Sequence, residues 1–383
     1  MDTIINRTIL QAIIKKMLPN KVIILLGARR VGKTFLLNQL MEHYIKEPVL
    51  KINGEDYASI EIFKTRTVEN YKRLLGKNKI LIIDEAQKIP DIGLSLKLMV
   101  DTIEGIKIVA TGSSVFDLHS KLGEPLTGRK FTFYLYPLAL SECAQFENMT
   151  EIKSKLDERL IYGNYPELLQ YSGNDEKKDY LNELVGSYLL KDILAFEGIR
   201  NSSKLIDLLR LIAFQIGSEV SLEELATQLM ISRNTVEKYL DLLSKVFVIY
   251  KLNGFSRNLR NEITKTGKWY FFDNGIRNSL IANFNPLNLR NDAGELWENY
   301  ILSERIKFQH YSKLTSNNYF WRTYQQQEID WIEDRGGKLY AYEMKWNKAK
   351  LKKTPSEWIA AYPDSEYQVI TPDNYLDWIL NPD

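Results

Sequence analysis

Gly27-Ala28-Arg29-Arg30-Val31-Gly32-Lys33-Thr34 has the glycine, lysine and threonine spacing of a loop that cradles phosphates. Glycines at both ends let the backbone curl so that successive N–H groups point at phosphate oxygens, and no Cβ blocks their approach. The apolar run Val22-Ile23-Ile24-Leu25-Leu26 before the loop reads as a strand. Phe35-Leu36-Leu37-Asn38-Gln39-Leu40 after it reads as a helix, whose positive end adds to the cradle. Gly27 through Phe35 is therefore the expected nucleotide-contacting segment. Lys33 would hold the β- and γ-phosphates of ATP, and Thr34 would ligate Mg²⁺ through its hydroxyl.

Ile80-Leu81-Ile82-Ile83-Asp84-Glu85 is a second buried-strand pattern, and it ends in two acids. Asp84 is suited to hold the Mg²⁺ from the side opposite Thr34, and Glu85 to activate or orient an attacking water. Gly105-Ile106-Lys107-Ile108-Val109-Ala110 reads as a third core strand. It leads into Thr111-Gly112-Ser113-Ser114 at the carboxyl edge, where ligands of open α/β sheets bind. Ser113 is the expected sensor of the γ-phosphate or of the water. Arg129, in Leu126-Thr127-Gly128-Arg129, is a candidate arginine finger acting in trans, which requires a homo-oligomer; the alternative is a solvated surface arginine.

A second constellation lies near the carboxyl end. Glu298 falls on an expected helix from Gly294 to about Phe308, and Asp330 sits in the strand-like Glu328-Ile329-Asp330-Trp331-Ile332. In Tyr340-Ala341-Tyr342-Glu343-Met344-Lys345 the period of two puts Glu343 and Lys345 on one face. Acid, acid, then Glu-x-Lys is a nuclease signature. Carboxylates on adjacent strands clamp Mg²⁺ against a scissile phosphate, and the lysine orients water and stabilises developing charge. Asp330, Glu343 and Glu298 are the expected metal-binding set and Lys345 the catalytic lysine; the alternative is a surface strand alternating Glu and Lys.

These residues need a scaffold, and 383 residues exceed one ordinary core. The pattern divides into an α/β P-loop domain with a parallel sheet over 1–148, a helical lid over 149–215, a winged helix-turn-helix over 216–284, and an α/β domain over 285–383. The lid is interrupted by Tyr162-Gly163-Asn164-Tyr165-Pro166. In the third segment Ser221 is placed to cap a helix carrying Leu222, Leu225 and Leu229 inward. A second helix from Ser232 turns Val236, Leu240 and Leu243 to one side and leaves Arg233, Asn234 and Lys238 outside. Val246 to Tyr250 and Trp269 to Phe272 would be the wing strands.

Charged residues make up 26% of the chain and the net charge is +2, a balance that neither demands nor excludes nucleic acid. Two local runs stand out: Arg257, Arg260, Lys265 and Lys268, and Lys345, Lys348, Lys350, Lys352 and Lys353. Each is either a solvated face or a phosphate-contacting one. No apolar run reaches membrane-span length and no signal-peptide pattern opens the chain, so a cytoplasmic location without membrane partners is expected. One cysteine, Cys143, and three histidines make a thiolate or imidazole zinc site a poor reading. Any metal here is expected to be oxygen-bound.

The chain resembles the prokaryotic AAA-type P-loop ATPases whose C-terminal region is a domain of unknown function with a restriction-endonuclease-like core. The resemblance is carried in order by Gly27 to Thr34, Ile80 to Gln87, Thr111 to Ser114, Leu126 to Arg129 with Tyr136-Pro137-Leu138, Tyr162 to Pro166, Tyr270 to Gly275, Gly294 to Asn299, and Glu328 to Lys345. It implies ATP binding by Lys33 and Thr34, magnesium at Asp84, hydrolysis through Glu85, a winged helix, and a nuclease-like domain with all four of its positions intact. The expected function is an ATP-driven switch or motor acting on nucleic acid, DNA in preference to RNA, with a metal-dependent nuclease site. The alternative is a signalling ATPase whose winged helix and inactive nuclease-like domain bind protein partners. A metabolic kinase would leave most of the chain without a purpose.

Overall fold

A computed structural model describes residues 5–113, 126–189, 202–256, 267–323, 325–347 and 354–380. The chain divides into two compact units, Met1–Pro137 with Lys245–Phe247, and Leu138–Ser244 with Val248–Asp383. Among the described residues no helix is long and apolar enough to cross a membrane.

The first unit is built on five parallel strands: β1 (Lys21–Leu26), β2 (Val49–Asn53), β3 (Ile80–Asp84), β4 (Lys107–Gly112) and β5 (Lys130–Tyr134), in the order β2-β3-β4-β1-β5. Strands covered on both faces read as unbroken apolar runs, which is why the sequence alternates so little here. Val22 through Leu25 and Ile80 through Ile83 are at most 2% exposed, and each such side chain contributes about 1.5–3 kcal/mol by leaving water. Helix Lys33–His43 follows β1, and Ile92–Thr102 lies between β3 and β4. Because all five strands run the same way, the residues that follow β1, β3 and β4 emerge at one edge.

The second unit holds a seven-stranded sheet. Its strands are β6 (Glu219–Val220), β7 (Ile249–Gly254), β8 (Gly267–Phe271), β9 (Asn317–Arg322), β10 (Glu328–Arg335), β11 (Lys338–Met344) and β12 (Glu366–Ile370), in the order β12-β11-β10-β9-β7-β8-β6. β9, β10 and β11 form an antiparallel meander and β12 lies parallel to β11. β7 and β9 pair in parallel through Asn253 with Tyr319 and Gly254 with Phe320. The division expected between 284 and 285 therefore falls inside a region spanned by one continuous sheet. The described helices of the expected lid pack within this unit: Asn274 and Asn278, on Asn274–Leu280, donate to the carbonyls of Leu160 and Ile161 at the end of Leu156–Tyr162.

Between residues 202 and 271 the order is helix Ser202–Phe214, β6, helix Leu222–Leu229, helix Arg233–Lys245, β7, β8. Ser221 Oγ accepts from Glu224 N at 3.3 Å, the expected cap. Met230 takes a left-handed conformation that turns the chain, and Ser232 Oγ accepts from Thr235 N at 3.1 Å to start the next helix. Val236, Leu240 and Leu243 are buried while Arg233, Asn234 and Lys238 are exposed. Arg257, Arg260 and Lys265 lie outside the described residues, as do Ser114, Lys348, Lys350, Lys352 and Lys353. Lys268 corrects its sequence reading: it is a member of β8, 3% exposed, and no part of a solvated basic face.

A two-residue turn sets the β10–β11 register. Gly336 and Gly337 both have positive φ, 62° and 92°, the conformation that matches a tight hairpin to the right-handed twist of its strands. The ladder runs from Arg335 opposite Lys338 to Trp331 opposite Tyr342, and just beyond it Met344 N, next to Glu343, donates to Asp330 Oδ2 at 2.7 Å. A slip of one residue would send the two acids to opposite faces.

Candidate functional site

The loop after β1 closes tightly. A Cβ on Gly27 would run into the carbonyl of Leu135, and Gly32 has φ +94° as it starts helix Lys33–His43. Lys33 is buried and its ammonium donates to the carbonyls of Gly27 and Ala28, 2.9 Å each. Thr34 Oγ1 donates to Asp84 Oδ2 at 2.7 Å, and Thr111 Oγ1 donates to Asp84 Oδ1 at 2.5 Å. Thr111 Oγ1 also accepts from Glu85 N at 3.0 Å. Glu85 itself has φ +51°, and its Oε2 accepts from Gln87 Nε2, which also donates to Ser113 Oγ at 3.2 Å. Lys33, Thr34, Asp84, Glu85 and Ser113 are thus brought to one sheet edge. A hydroxyl and a carboxylate 2.7 Å apart, beside a buried ammonium and a loop with no room for a Cβ, form the oxygen-donor set that fits a magnesium nucleotide.

Arg29, Arg30, Val31 and Phe35 complete the loop and the first helical turn; Arg30 has φ +62° and Phe35 is exposed. Arg129 is not among these groups. It precedes β5, pairing its Nε with Asp101 Oδ1 at 2.5 Å. Lys130 sits across from Val22, so Arg129 lies at the amino edge of the sheet, about 17 Å of strand from the loop that follows β1.

Three participants were missed by sequence reasoning. Thr111 was seen only as a polar strand end, yet it bonds both Asp84 and Glu85. Gln87 links Glu85 to Ser113 from two residues beyond the acid, a position with no motif of its own. Arg7 donates to Val31 O at 2.5 Å and to Tyr136 O at 2.7 Å, holding the phosphate loop from the amino-terminal segment. Its partners are so distant in sequence that no local signal could have found it.

In the second unit Asp330 Oδ2 accepts from Met344 N at 2.7 Å, and Lys345 Nζ pairs with Glu343 Oε1 at 2.5 Å. Glu298, on helix Ala293–Ser312, accepts from Tyr270 OH at 2.6 Å and stands 3.9 Å from Lys268 Nζ, which also pairs with Glu328. Asn299 anchors that helix by bonding both the N–H and the carbonyl of Phe271, at 2.7 and 3.0 Å. Burial, then the neighbouring Asp330, push Glu298 up to about 8 and Glu343 up to about 7. Burial also raises Asp330. For Lys345 burial opposes the charge, but Asp330 and Glu343 more than offset it and hold the ammonium above its ordinary range.

Among the described residues no three His, Cys, Asp or Glu side chains gather as a metal-holding group. The expected set of Asp330, Glu343 and Glu298 is accordingly not assembled as three ligands of one ion, because Tyr270 and Lys268 engage Glu298. What the structure brings together is an Asp330–Glu343 pair, with one buried oxygen, Glu343 Oε2, without a hydrogen-bond partner. That orphaned acceptor fits a cation.

Residues 19–144 match the family profile of an AAA domain, residues 153–288 that of a domain of unknown function, DUF8612, and residues 293–376 that of another, DUF4143. An uncharacterized protein of Methanocaldococcus jannaschii is 26% identical over 335 residues, covering 83% of this chain and 73% of that one. One of Mycobacterium tuberculosis is 26% identical over 328 residues, covering 85% and 70%. Among solved structures, similarity extends to a signal transduction ATPase with a tetratricopeptide repeat sensor from Pyrococcus horikoshii, with a TM-score of 0.33, 13% identity, and coverage of 81% of this chain and 47% of that one. It extends also to AMPPCP-bound DnaA from Aquifex aeolicus, with a TM-score of 0.24, 17% identity and coverage of 62% and 84%. The chain spans about half the length of the first of these, and at such scores neither bears on the fold. The phosphate loop and the Asp84 strand both lie within residues 19–144, the segment that matches the AAA-domain profile.

Proposed function

We propose that the chain binds and hydrolyses Mg-ATP in its first unit and uses the cycle to switch or drive an action on nucleic acid, DNA in preference to RNA. The hydrogen-bonded run Thr34–Asp84–Thr111, continued through Glu85 and Gln87 to Ser113, carries the nucleotide part of this reading. Magnesium, when bound, screens the phosphate charge. Lys33 and the loop N–H groups orient the phosphates, Thr34 and Asp84 hold the ion, Glu85 takes the proton of the attacking water, and Ser113 senses the γ-phosphate. Arg129, remote from its own loop, would act across a subunit interface of a homo-oligomer.

For the second unit we propose a winged helix over 216–284 and a restriction-endonuclease-like core over 285–383. The helix, three-strand antiparallel meander, helix and parallel strand from 293 to 370 support the second assignment. Asp330 and Glu343 would hold one divalent cation, with Lys345 beside it and Glu298 anchored to Tyr270 at the margin.

The decisive experiment is an ATPase assay with and without single- and double-stranded DNA and RNA, wild type beside Glu85→Gln. Stimulation by nucleic acid that falls steeply with salt is expected, because phosphate contacts release counterions. ATPase activity indifferent to every nucleic acid would favour a signalling switch with protein partners.

A further inference from the structure

Six ionisable groups interact pairwise in the C-terminal region: the carboxylates of Glu298, Glu328, Asp330 and Glu343, and the ammonium groups of Lys268 and Lys345. With all six ionised the acids exceed the lysines by two charges, the charge of one divalent cation. Lys345 pairs with Glu343 on one side. Lys268 pairs with Glu328 on the other and stands 3.9 Å from Glu298. It is 3% exposed, and its ammonium lies 5.3 Å from the centre of the Phe320 ring, so protein surrounds it. The two-point bond between Asn299 and Phe271 fixes the helix bearing Glu298 against the strand bearing Lys268.

A buried ammonium and a divalent ion compete for the same carboxylate oxygens. Lys268 meets Glu298 and Glu328, and Lys345 meets Glu343 through Oε1, but Glu343, 6% exposed, keeps its other oxygen, Oε2, unpartnered. An acceptor left so is costly unless something positive meets it.

We propose that Lys268 is a tethered counter-cation that takes the place of a second divalent ion on the Glu298–Glu328 side, so that the cluster admits one divalent cation, at Asp330 and Glu343. This rests on reading the cluster as a divalent-cation site. Lys268 comes from β8, within the segment matched by the preceding family profile, so the site is incomplete without that segment. A tethered charge does not dissociate, and metal loading should follow a one-ion, non-cooperative isotherm.

The test counts Mn²⁺ bound per full-length chain by electron paramagnetic resonance, without nucleotide, in an Asp84→Asn background that silences the other metal site. One ion is expected in that background, two in Lys268→Met, and one again in Lys268→Arg, which restores the charge if the methionine variant fails to fold. Lys345→Met, which also removes a positive charge, should bind one ion at least tenfold more tightly without admitting a second. Two ions with Lys268 present, or one ion of unchanged affinity in a folded Lys268→Met, would overturn the role of Lys268 while leaving the metal site standing. Absence of binding that Asp330→Asn could abolish would overturn the metal site itself.

Discussion

The side-chain amide of Gln87 lies 2.5 Å from Glu85 Oε2 and 3.2 Å from Ser113 Oγ, so one buried group ties the acid after β3 to the hydroxyl after β4. Outer partners that orient reacting carboxylates typically contribute 10–100-fold. Gln87→Ala should lower kcat by about that factor while ATP affinity, measured by calorimetry, changes little. Glu85→Gln should bind ATP as well as wild type and lose roughly 10²–10⁴-fold in turnover. A weakened affinity with unchanged kcat in Gln87→Ala would mean that Gln87 serves binding alone.

Arg129 lies at the amino edge of its own sheet, in an ion pair with Asp101. If it completes a neighbouring subunit's site, Arg129→Ala should slow hydrolysis by about 10³ with ATP binding intact. Mixing that variant with Glu85→Gln subunits should recover part of the activity. Wild-type turnover in Arg129→Ala would leave the residue as a surface ion pair, worth under about 1 kcal/mol.

Glu298 titrates at about 8 in the folded chain against an ordinary 4.5, because burial disfavours its charged form. A raised carboxyl pKa means that the native state holds a proton the unfolded state has already lost. Its contribution to stability is fully present below about 4.5 and is lost as pH rises through about 8. Glu298→Gln should therefore flatten the fall in melting temperature between those pH values. Equal slopes for variant and wild type would show that the carboxyl is ionised in the native state throughout.

Gly337 has φ 92°, which a β-branched side chain adopts only with strain. Gly337→Val should cost about 1–2 kcal/mol, read as a lower urea midpoint at unchanged slope. If the register also slips, Mn²⁺ binding at Asp330 and Glu343 should be lost along with the stability.

The first unit was largely legible because its chemistry is local. A phosphate loop, a strand ending in Asp84-Glu85 and a strand ending near Ser113 each announce themselves within ten residues, and parallel strands bring their ends to one edge. Asp330 and Glu343 were read as acids of neighbouring strands, and the structure sets the Asp330 carboxylate against the backbone of Met344, the residue after Glu343. Lys268 was not legible: a lysine next to Trp269 and Tyr270 reads as the exit of a basic loop until helix Ala293–Ser312 and β10 bring Glu298 and Glu328 against it. Arg7 was hidden in the same way, its partners lying 24 and 129 positions away.

The parallel bond between β7 and β9 makes inheritance of the two halves of this sheet a joint matter. Cutting the gene between them would bare two strand edges, and bared edges recruit other chains. Recombination that swaps the last hundred residues alone should yield aggregates, whereas exchange at the boundary between the two compact units moves a sheet with both of its faces and all of its strands. Two regions with separate family profiles are, for evolution and for protein engineering alike, a single transferable part.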